Sequence, residues 1–187
     1  MPELRSGSVN TDGNRGRLYY LVKLPQSGGS TFANVWAQTF VDYSGREEWK
    51  PTIRPRVVLG GDDFRIGLHG QEYARTAEGS VFAMMDVAAR ALLSRGFDVL
   101  MDETSTTEQT LMRYYLIDFE AEPILIPTAA SVCEARALAN KKDFLVPVIR
   151  QLSSQKDELL KDWPAAIDRV KDRLLKRYPN SFVWGQE

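Results

Sequence analysis

The chain has 187 residues, which suits a single domain, and 43% of them are hydrophobic, enough to build a full core. Its 24 basic and 25 acidic residues give a net charge of −1, which argues against a wholly basic surface that coats nucleic acid but permits a local basic groove. With one cysteine, Cys133, and one histidine, His69, the chain has no internal disulfide and offers little support for a zinc site or a catalytic triad.

The lone cysteine also makes a reducing, cytoplasmic compartment the expected location. No apolar run approaches the roughly 20 residues of a membrane span, so no membrane partner is expected. Residues 1–17 are rich in Ser, Gly, Asn and Arg and contain no apolar stretch. We therefore predict that they form a flexible N-terminal arm and not a secretory signal.

Short apolar strands alternate with helical patterns along most of the chain. The patterns predict strands at 18–22, 56–59, 98–101 and 124–126. They predict helices at 31–40, 80–95, 107–119 and 131–139, and a long loop at 41–55. Because this alternation favours a parallel α/β sheet with right-handed crossovers, a ligand is expected in the turns that follow the strands.

The last forty residues have a different pattern, with two helices and no strand between them. One helix is predicted at 148–161, and the other follows Asp162 and stops at Pro179. The expected division is an arm at 1–17, an α/β domain at 18–147 and a helical extension at 148–187. The extension is expected to pack against the sheet or to mediate oligomer assembly.

The turn after the first strand reads Lys-Leu-Pro-Gln-Ser-Gly-Gly-Ser-Thr over residues 23–31. A phosphate-binding P-loop has a glycine, four residues, a second glycine, a lysine and then Ser or Thr. Gly28 and Ser30 match this pattern, whereas Lys23 stands at the first glycine and Gly29 at the lysine. An ordinary Ser/Gly turn between a strand and a helix is the alternative interpretation.

Much of the phosphate chemistry would survive this exchange, because backbone N–H groups at a helix N-terminus bind phosphate without help from side chains. Two adjacent glycines allow close approach of the backbone, and the Ser30 hydroxyl is placed to bind Mg²⁺. We hypothesise that Lys23 supplies the missing ammonium group. The predicted nucleotide-binding residues of this turn are Lys23, Gln26, Ser27, Gly28, Gly29, Ser30 and Thr31.

Three later segments extend the pattern. Gly60-Gly61-Asp62-Asp63-Phe64-Arg65 follows the second strand, Asp102-Glu103-Thr104-Ser105 follows the third, and Glu134-Ala135-Arg136 lies in the fourth helix. In this order, residues 18–147 resemble the phage-type polynucleotide kinases and related P-loop phosphotransferases. Those proteins carry Asp-Asp-aromatic-Arg after the second strand, Asp-Asp-Thr-Asn after the third, and a lid helix with an arginine. The resemblance implies a three-layer P-loop kinase fold with an altered phosphate loop.

The resemblance also implies roles for individual side chains. Asp62 corresponds to the general base on the acceptor hydroxyl, and Arg65 to the arginine that holds the acceptor's phosphate. Glu103, aligned through Thr104, corresponds to an acidic residue on the acceptor side, and Arg136 to the lid arginine over the donor phosphates. The predicted catalytic residues are thus Asp62, Lys23 and Arg136, and the predicted acceptor-binding residues are Arg65, Asp102, Glu103 and Thr104.

Structural roles are the alternative for several of these side chains. Asp62 and Asp63 are expected on an extended turn, where they point apart. The alternative role of these two residues, or of Asp102, is to cap a turn, and that of Arg65 is a surface ion pair. Trp49 lies among basic residues of the 41–55 loop, a mixture that suits a single nucleic-acid strand.

Three functions remain open from the sequence. The first is an ATP- or GTP-dependent, Mg²⁺-requiring kinase that acts on a hydroxyl of a nucleic acid or nucleotide, either a 5′-hydroxyl end or a hydroxymethylated base in DNA. The second is a catalytically impaired P-loop module that binds a nucleotide or a partner. The third is a small-molecule or toxin-type kinase, and the 41–55 loop would decide between the acceptors.

Overall fold

The computed structural model describes residues 15–38, 55–70 and 76–179. These residues form four strands, which are β1 (Leu18–Val22), β2 (Arg56–Gly60), β3 (Asp98–Asp102) and β4 (Glu122–Leu125). They also form seven helices, which are α1 (Gly29–Gln38), α2 (Gly61–His69), α3 (Glu78–Leu93), α4 (Glu108–Ile117), α5 (Ala130–Ala139), α6 (Leu145–Lys161) and α7 (Trp163–Arg177). Trp49, most of the predicted 41–55 loop and most of the predicted arm lie outside the described residues.

The strands form one parallel sheet in the order β2-β3-β1-β4, which confirms the predicted α/β class. β3 lies between β1 and β2, with Tyr20 of β1 and Leu59 of β2 both in register with Met101. Since all strands run the same way, the segments that follow β1, β2 and β3 emerge at one edge of the sheet.

Helices cover both faces of the sheet and give three layers. On one face, Ala33 of α1 packs with Leu21, Leu100 and Ile126. The larger core on the other face combines sheet residues with α3, α4, α6 and α7, and its helical members are Val81, Met85, Ala89, Leu93, Leu111, Tyr114, Tyr115, Ile117, Leu159, Ala166, Val170 and Leu174. The two C-terminal helices therefore contribute to the same core as the sheet.

The segment after β2 differs from its prediction. Asp62 and Asp63 lie in the first turn of a nine-residue helix, α2, and not on an extended turn. Two carboxylates at a helix N-terminus are favourable because they face the positive end of the helix dipole. The helix ends at Gly70, whose φ of 67° is the left-handed conformation that commonly terminates helices.

A capping box fixes the start of α4. The Thr107 hydroxyl accepts a hydrogen bond from the backbone N–H of Thr110 at 3.3 Å, and the Thr110 hydroxyl accepts one from the backbone N–H of Thr107 at 3.2 Å. These bonds satisfy donors that a helix start would otherwise leave without partners. The segment that joins β3 to α4, which begins with Glu103, is therefore fixed at its α4 end.

Candidate functional site

The turn between β1 and α1 lines an open cavity of about 520 Å³ at the carboxyl edge of the sheet. Gly28 adopts a φ of 93°, a conformation that side chains other than glycine rarely tolerate, and Gln26 adopts 62°. The Ser27 N–H donates to the Leu24 carbonyl at 3.2 Å, which tightens the turn. The cavity is lined by Lys23, Leu24, Gln26, Ser27, Gly28, Gly29, Ser30, Thr31 and Arg136, so the structure brings together all the predicted nucleotide-binding residues.

Lys23 occupies the space that a side chain at position 29 would need. A Cβ atom placed on Gly29 would lie 2.8 Å from Nζ of Lys23 and 3.0 Å from its Cε. The Lys23 ammonium also forms an ion pair with Asp102 at the end of β3, and the two side chains are only 11% and 9% exposed. The structure therefore places Asp102 against the Lys23 ammonium, whereas the contact of Asp102 with an acceptor stays a prediction.

Ser27 carries a buried polar atom that lacks a partner within the described part of the chain. The residue is 5% exposed, and its hydroxyl makes no hydrogen bond there, although its carbonyl accepts one from Thr128 at 2.8 Å. Leaving such a group unsatisfied costs about 1–3 kcal/mol. Because Ser27 lines the cavity, a ligand with acceptor oxygens would give this hydroxyl a partner.

Helix α5 is joined to the β1–α1 turn by hydrogen bonds to Gln26. Arg136 donates from Nη1 to the Gln26 carbonyl at 3.1 Å, and Asn140 donates to Oε1 of the Gln26 side chain at 2.9 Å. Asn140 was missed at the sequence level, although its position four residues after Arg136 puts both on one helical face. Beneath this contact, buried Cys133 packs with Leu24, and burial raises the pKa of its thiol.

Arg65 is held by two carboxylates at the start of α2 and α3. Its Nε and Nη2 donate to the two Glu78 oxygens at 2.7 Å each, and its Nη1 donates to Asp62 at 2.6 Å. The fork-like pair with Glu78 keeps the pKa of that carboxyl below its usual value. The Asp62 side chain is 80% exposed, so it is the accessible member of the group. Sequence analysis missed the role of Glu78.

Glu103, which follows β3, belongs to a buried network with side chains of α3 and α4. Arg113 donates to its Oε2 at 2.5 Å and to Asp86 at 2.7 Å, while the Tyr114 hydroxyl donates to Glu103 at 3.3 Å. Burial raises the pKa of Glu103 and outweighs the attraction of Arg113, which acts in the opposite direction. Its other oxygen faces Arg65 across Gly61, since a Cβ there would lie 3.4 Å from Oε1 of Glu103 and 3.2 Å from Nη1 of Arg65.

The predicted residues thus fall into two groups. One group surrounds the cavity at the β1–α1 turn. The other, formed by Asp62, Arg65 and Glu103, follows β2 and β3 and does not line that cavity. Thr104 is half-buried in the turn after β3. Within the described ranges there is no cluster of three or more His, Cys, Asp or Glu side chains that could hold a metal. Of the helices seen in those ranges, none has the length and apolarity to cross a membrane.

Comparison with known proteins shows similarity of fold only. The sequence matches no protein-family model and no curated protein. A chain of the Pnkp1/Rnl/Hen1 RNA repair complex has a TM-score of 0.55 at 20% identity over 80% of this chain and 48% of its own. A chain of a second Pnkp1/Rnl/Hen1 structure has a TM-score of 0.53 at 22% identity, and the match covers 68% of this chain and 40% of that one. This chain therefore spans less than half the length of either one.

A third similar structure matches over most of its length. The APS kinase CysC of Mycobacterium tuberculosis, solved with AMPPNP and APS, has a TM-score of 0.53 at 20% identity over 68% of this chain and 73% of its own. With the parallel sheet and its helices, these similarities confirm the predicted P-loop kinase-type α/β fold.

Proposed function

We propose that this chain is a P-loop phosphotransferase that moves the γ-phosphate of a nucleoside triphosphate to a hydroxyl of a nucleic acid or nucleotide. The observation that carries the proposal is the Lys23 ammonium beside Gly29, in a cavity lined by a phosphate-loop turn. Phosphoryl transfer depends on positioning and charge stabilisation, and two cations, Lys23 and Arg136, line this cavity. The polynucleotide kinase resemblance and the APS kinase fold similarity support the same reaction class.

On the donor side, the N–H groups at the start of α1 and two cations would hold the phosphates. Lys23 approaches from the loop, and Arg136 approaches from the lid helix α5. The Ser30 hydroxyl is exposed at the first turn of α1, and a single protein oxygen fits Mg²⁺, which is commonly bound by one or two protein ligands together with substrate phosphates. The metal, when bound with the triphosphate, would neutralise charge on the phosphate oxygens.

On the acceptor side, Asp62 is the proposed general base and Arg65 the proposed anion clamp. Asp62 is exposed at the N-terminus of α2, where a hydroxyl can reach its carboxylate. The pair with Glu78 fixes the Arg65 guanidinium, so its Nη1 donor is held in one direction while Asp62 shares it. A planar guanidinium suits phosphate oxygens, which favours an acceptor that carries a phosphate near its hydroxyl. Glu103 and Thr104 would line the same side.

A nucleotide-binding module without transferase activity is the second candidate. The Lys23 ammonium already pairs with the Asp102 carboxylate, which weakens the attraction of Lys23 for a phosphate. A module of this kind would still bind a nucleotide through backbone N–H groups and Arg136.

A labelled-phosphate transfer assay tests the proposal. γ-Labelled ATP or GTP with Mg²⁺ is offered to 5′-hydroxyl DNA, 5′-hydroxyl RNA and hydroxymethyl-base DNA. Transfer to one acceptor is expected, with a loss of about 10²–10⁴-fold in Asp62→Asn, the usual contribution of a general base. Asp168→Asn, which changes an exposed carboxylate on α7, is the matched control. Nucleotide binding without transfer to any acceptor would favour the binding module and contradict the kinase.

A further inference from the structure

The exchange of glycine and lysine in the phosphate loop has a steric counterpart in the structure. The stem and ammonium of Lys23 lie where the side chain of residue 29 would begin, with Nζ at 2.8 Å from a Cβ placed there. Real Cβ atoms essentially never come so close to another heavy atom. Lys23 can therefore lie over the loop only while residue 29 has no side chain.

The position of Lys23 is also fixed by its charge. Its ammonium pairs with Asp102, and because both side chains are about nine-tenths buried, neither charge has free access to water. Separating a buried pair is costly, because each charge is left uncompensated. Asp102 thus anchors the end of a side chain that would otherwise be flexible.

We propose that Lys23, Gly29 and Asp102 form one interdependent unit, in which the absent side chain of Gly29 makes room for the Lys23 ammonium and Asp102 positions it in the loop. Asp102 is then a positioning residue for the phosphate-binding cation and not an acceptor ligand. Gly29 is needed for space and not for backbone conformation, in contrast to Gly28, whose φ is 93°.

The unit makes two predictions about substitutions at position 29. A methyl group in Gly29→Ala meets the far end of a flexible side chain, so the backbone need not move, but Lys23 must leave Asp102. In addition, Gly29→Lys should not repair the loop, since two lysines would compete for one space. Only Lys23→Gly combined with Gly29→Lys restores the usual arrangement of glycine and lysine.

The first test needs no ligand and so is independent of the proposed function. Thermal unfolding is compared for Gly29→Ala in the parent and in a Lys23→Ala background. We expect the midpoint to fall by about 2–4 °C in the parent. No fall is expected in the Lys23→Ala background, where the methyl group is free to fit and alanine favours the helix. Gly79→Ala is the matched control, because Gly79 also lies in a first helical turn and has nothing within 4 Å of its Cβ position.

The second test rests on the proposed function and measures binding of a fluorescent ATP analogue with Mg²⁺. Lys23→Ala is expected to weaken binding about tenfold or more, the effect of losing one hydrogen bond to a charged group. Gly29→Lys should also weaken binding, and the Lys23→Gly, Gly29→Lys double variant should recover most of the loss. For Asp102→Asn, the affinity is expected to fall because Lys23 loses its anchor, and recovery of the affinity in Asp102→Glu would mark a positioning role.

Two results would overturn the unit. One is an equal fall in the unfolding midpoint from Gly29→Ala in both backgrounds, and the other is a Lys23→Gly, Gly29→Lys double variant that binds the ATP analogue no more tightly than Gly29→Lys alone. A parent protein that binds no nucleotide would overturn the proposed function instead. The unfolding comparison would still decide whether Lys23 and Gly29 depend on each other.

Discussion

Glu103 and Arg113 share a buried ion pair, with Nη1 of Arg113 donating to Oε2 of Glu103 at 2.5 Å and side-chain exposures of only 9% and 20%. Arg113 lies on α4 and Glu103 in the turn after β3, so the pair ties the sheet edge to the helix that follows it. The same guanidinium reaches Asp86 of α3 and lies over the Phe82 ring, 4.5 Å from its centroid. One arginine thus connects three elements behind the proposed acceptor side.

Removal of Arg113 is expected to destabilise the fold strongly. Arg113→Met leaves the Glu103 carboxylate buried without its cation, and breaking a buried pair from one side costs about 3–5 kcal/mol. Denaturant unfolding at neutral pH measures this loss. The Glu103→Gln, Arg113→Met double variant should lose less, because no charge is then left uncompensated. If the single and double variants lose the same free energy, the pair does not contribute as described.

The raised pKa of Glu103 makes a prediction about pH. A carboxyl whose pKa is higher in the folded state binds protons more tightly there, so it favours folding at low pH. This contribution is complete below the unfolded value near 4.5 and is lost as the pH rises through the folded value. Relative to Glu103→Gln, the parent should therefore lose free energy of unfolding as the pH rises across that window. A difference between the two proteins that stays constant with pH would contradict the burial of this carboxyl.

The pKa of Glu78 is shifted in the opposite direction to that of Glu103. Its pKa is lowered by hydrogen bonds from Arg65, so its contribution is present above about 4.5 and is lost as the pH falls through the folded value. Glu78→Gln should cost about 1.5–3 kcal/mol at neutral pH, the range for hydrogen bonds to charged groups, and progressively less in acid. Glu158→Gln is the control, because its pair with Lys161 is exposed to solvent and should contribute little to the free energy of unfolding. Equal effects of the two substitutions would be evidence against the fixed guanidinium.

Asn140 should affect nucleotide binding and not stability. Asn140→Ala removes the bond to the Gln26 side chain, which leaves the Arg136 bond and the packing of Cys133 on Leu24 to hold α5 to the loop. We expect the affinity for an ATP analogue to fall by about 2–10-fold, the effect of one lost hydrogen bond, with an unchanged unfolding midpoint. Leu138→Ala, at an exposed position on the same helix, should leave binding unchanged. A lowered midpoint without a change in affinity would mean that the contact is only structural.

Periodicity and turn residues were enough to predict a parallel α/β sheet, and the family resemblance added the P-loop kinase fold. Each described strand and all helices except α2 lie close to their predicted positions, because buried strands and amphipathic helices differ in the spacing of apolar residues. Helix α2 was missed because its sequence, Gly-Asp-Asp-Phe-Arg-Ile-Gly-Leu-His, contains two glycines and no broad apolar face. Its stability depends on tertiary contacts such as the Arg65–Glu78 pair, which local patterns do not encode.

The residues that line the cavity could be singled out from the sequence, but the pairing of their side chains could not. The altered loop pattern drew attention to Lys23, yet only coordinates could place its ammonium beside Gly29 and against Asp102. Long-range partners such as Arg113 for Glu103 depend on how α4 docks on the sheet. Glu78 and Asn140 lack a motif of their own, so no signal in a single sequence separates them from ordinary surface residues.

The two C-terminal helices set the shortest length at which this chain can be expressed as a stable protein. Val170 and Leu174 of α7 are fully buried in the main core, together with Leu111 and Tyr115 of α4. A version that ends at residue 147 would expose that face of α4 to water and should aggregate or be degraded. Expression trials and biochemical screens should therefore retain both helices, even though the proposed chemistry resides entirely in residues before them.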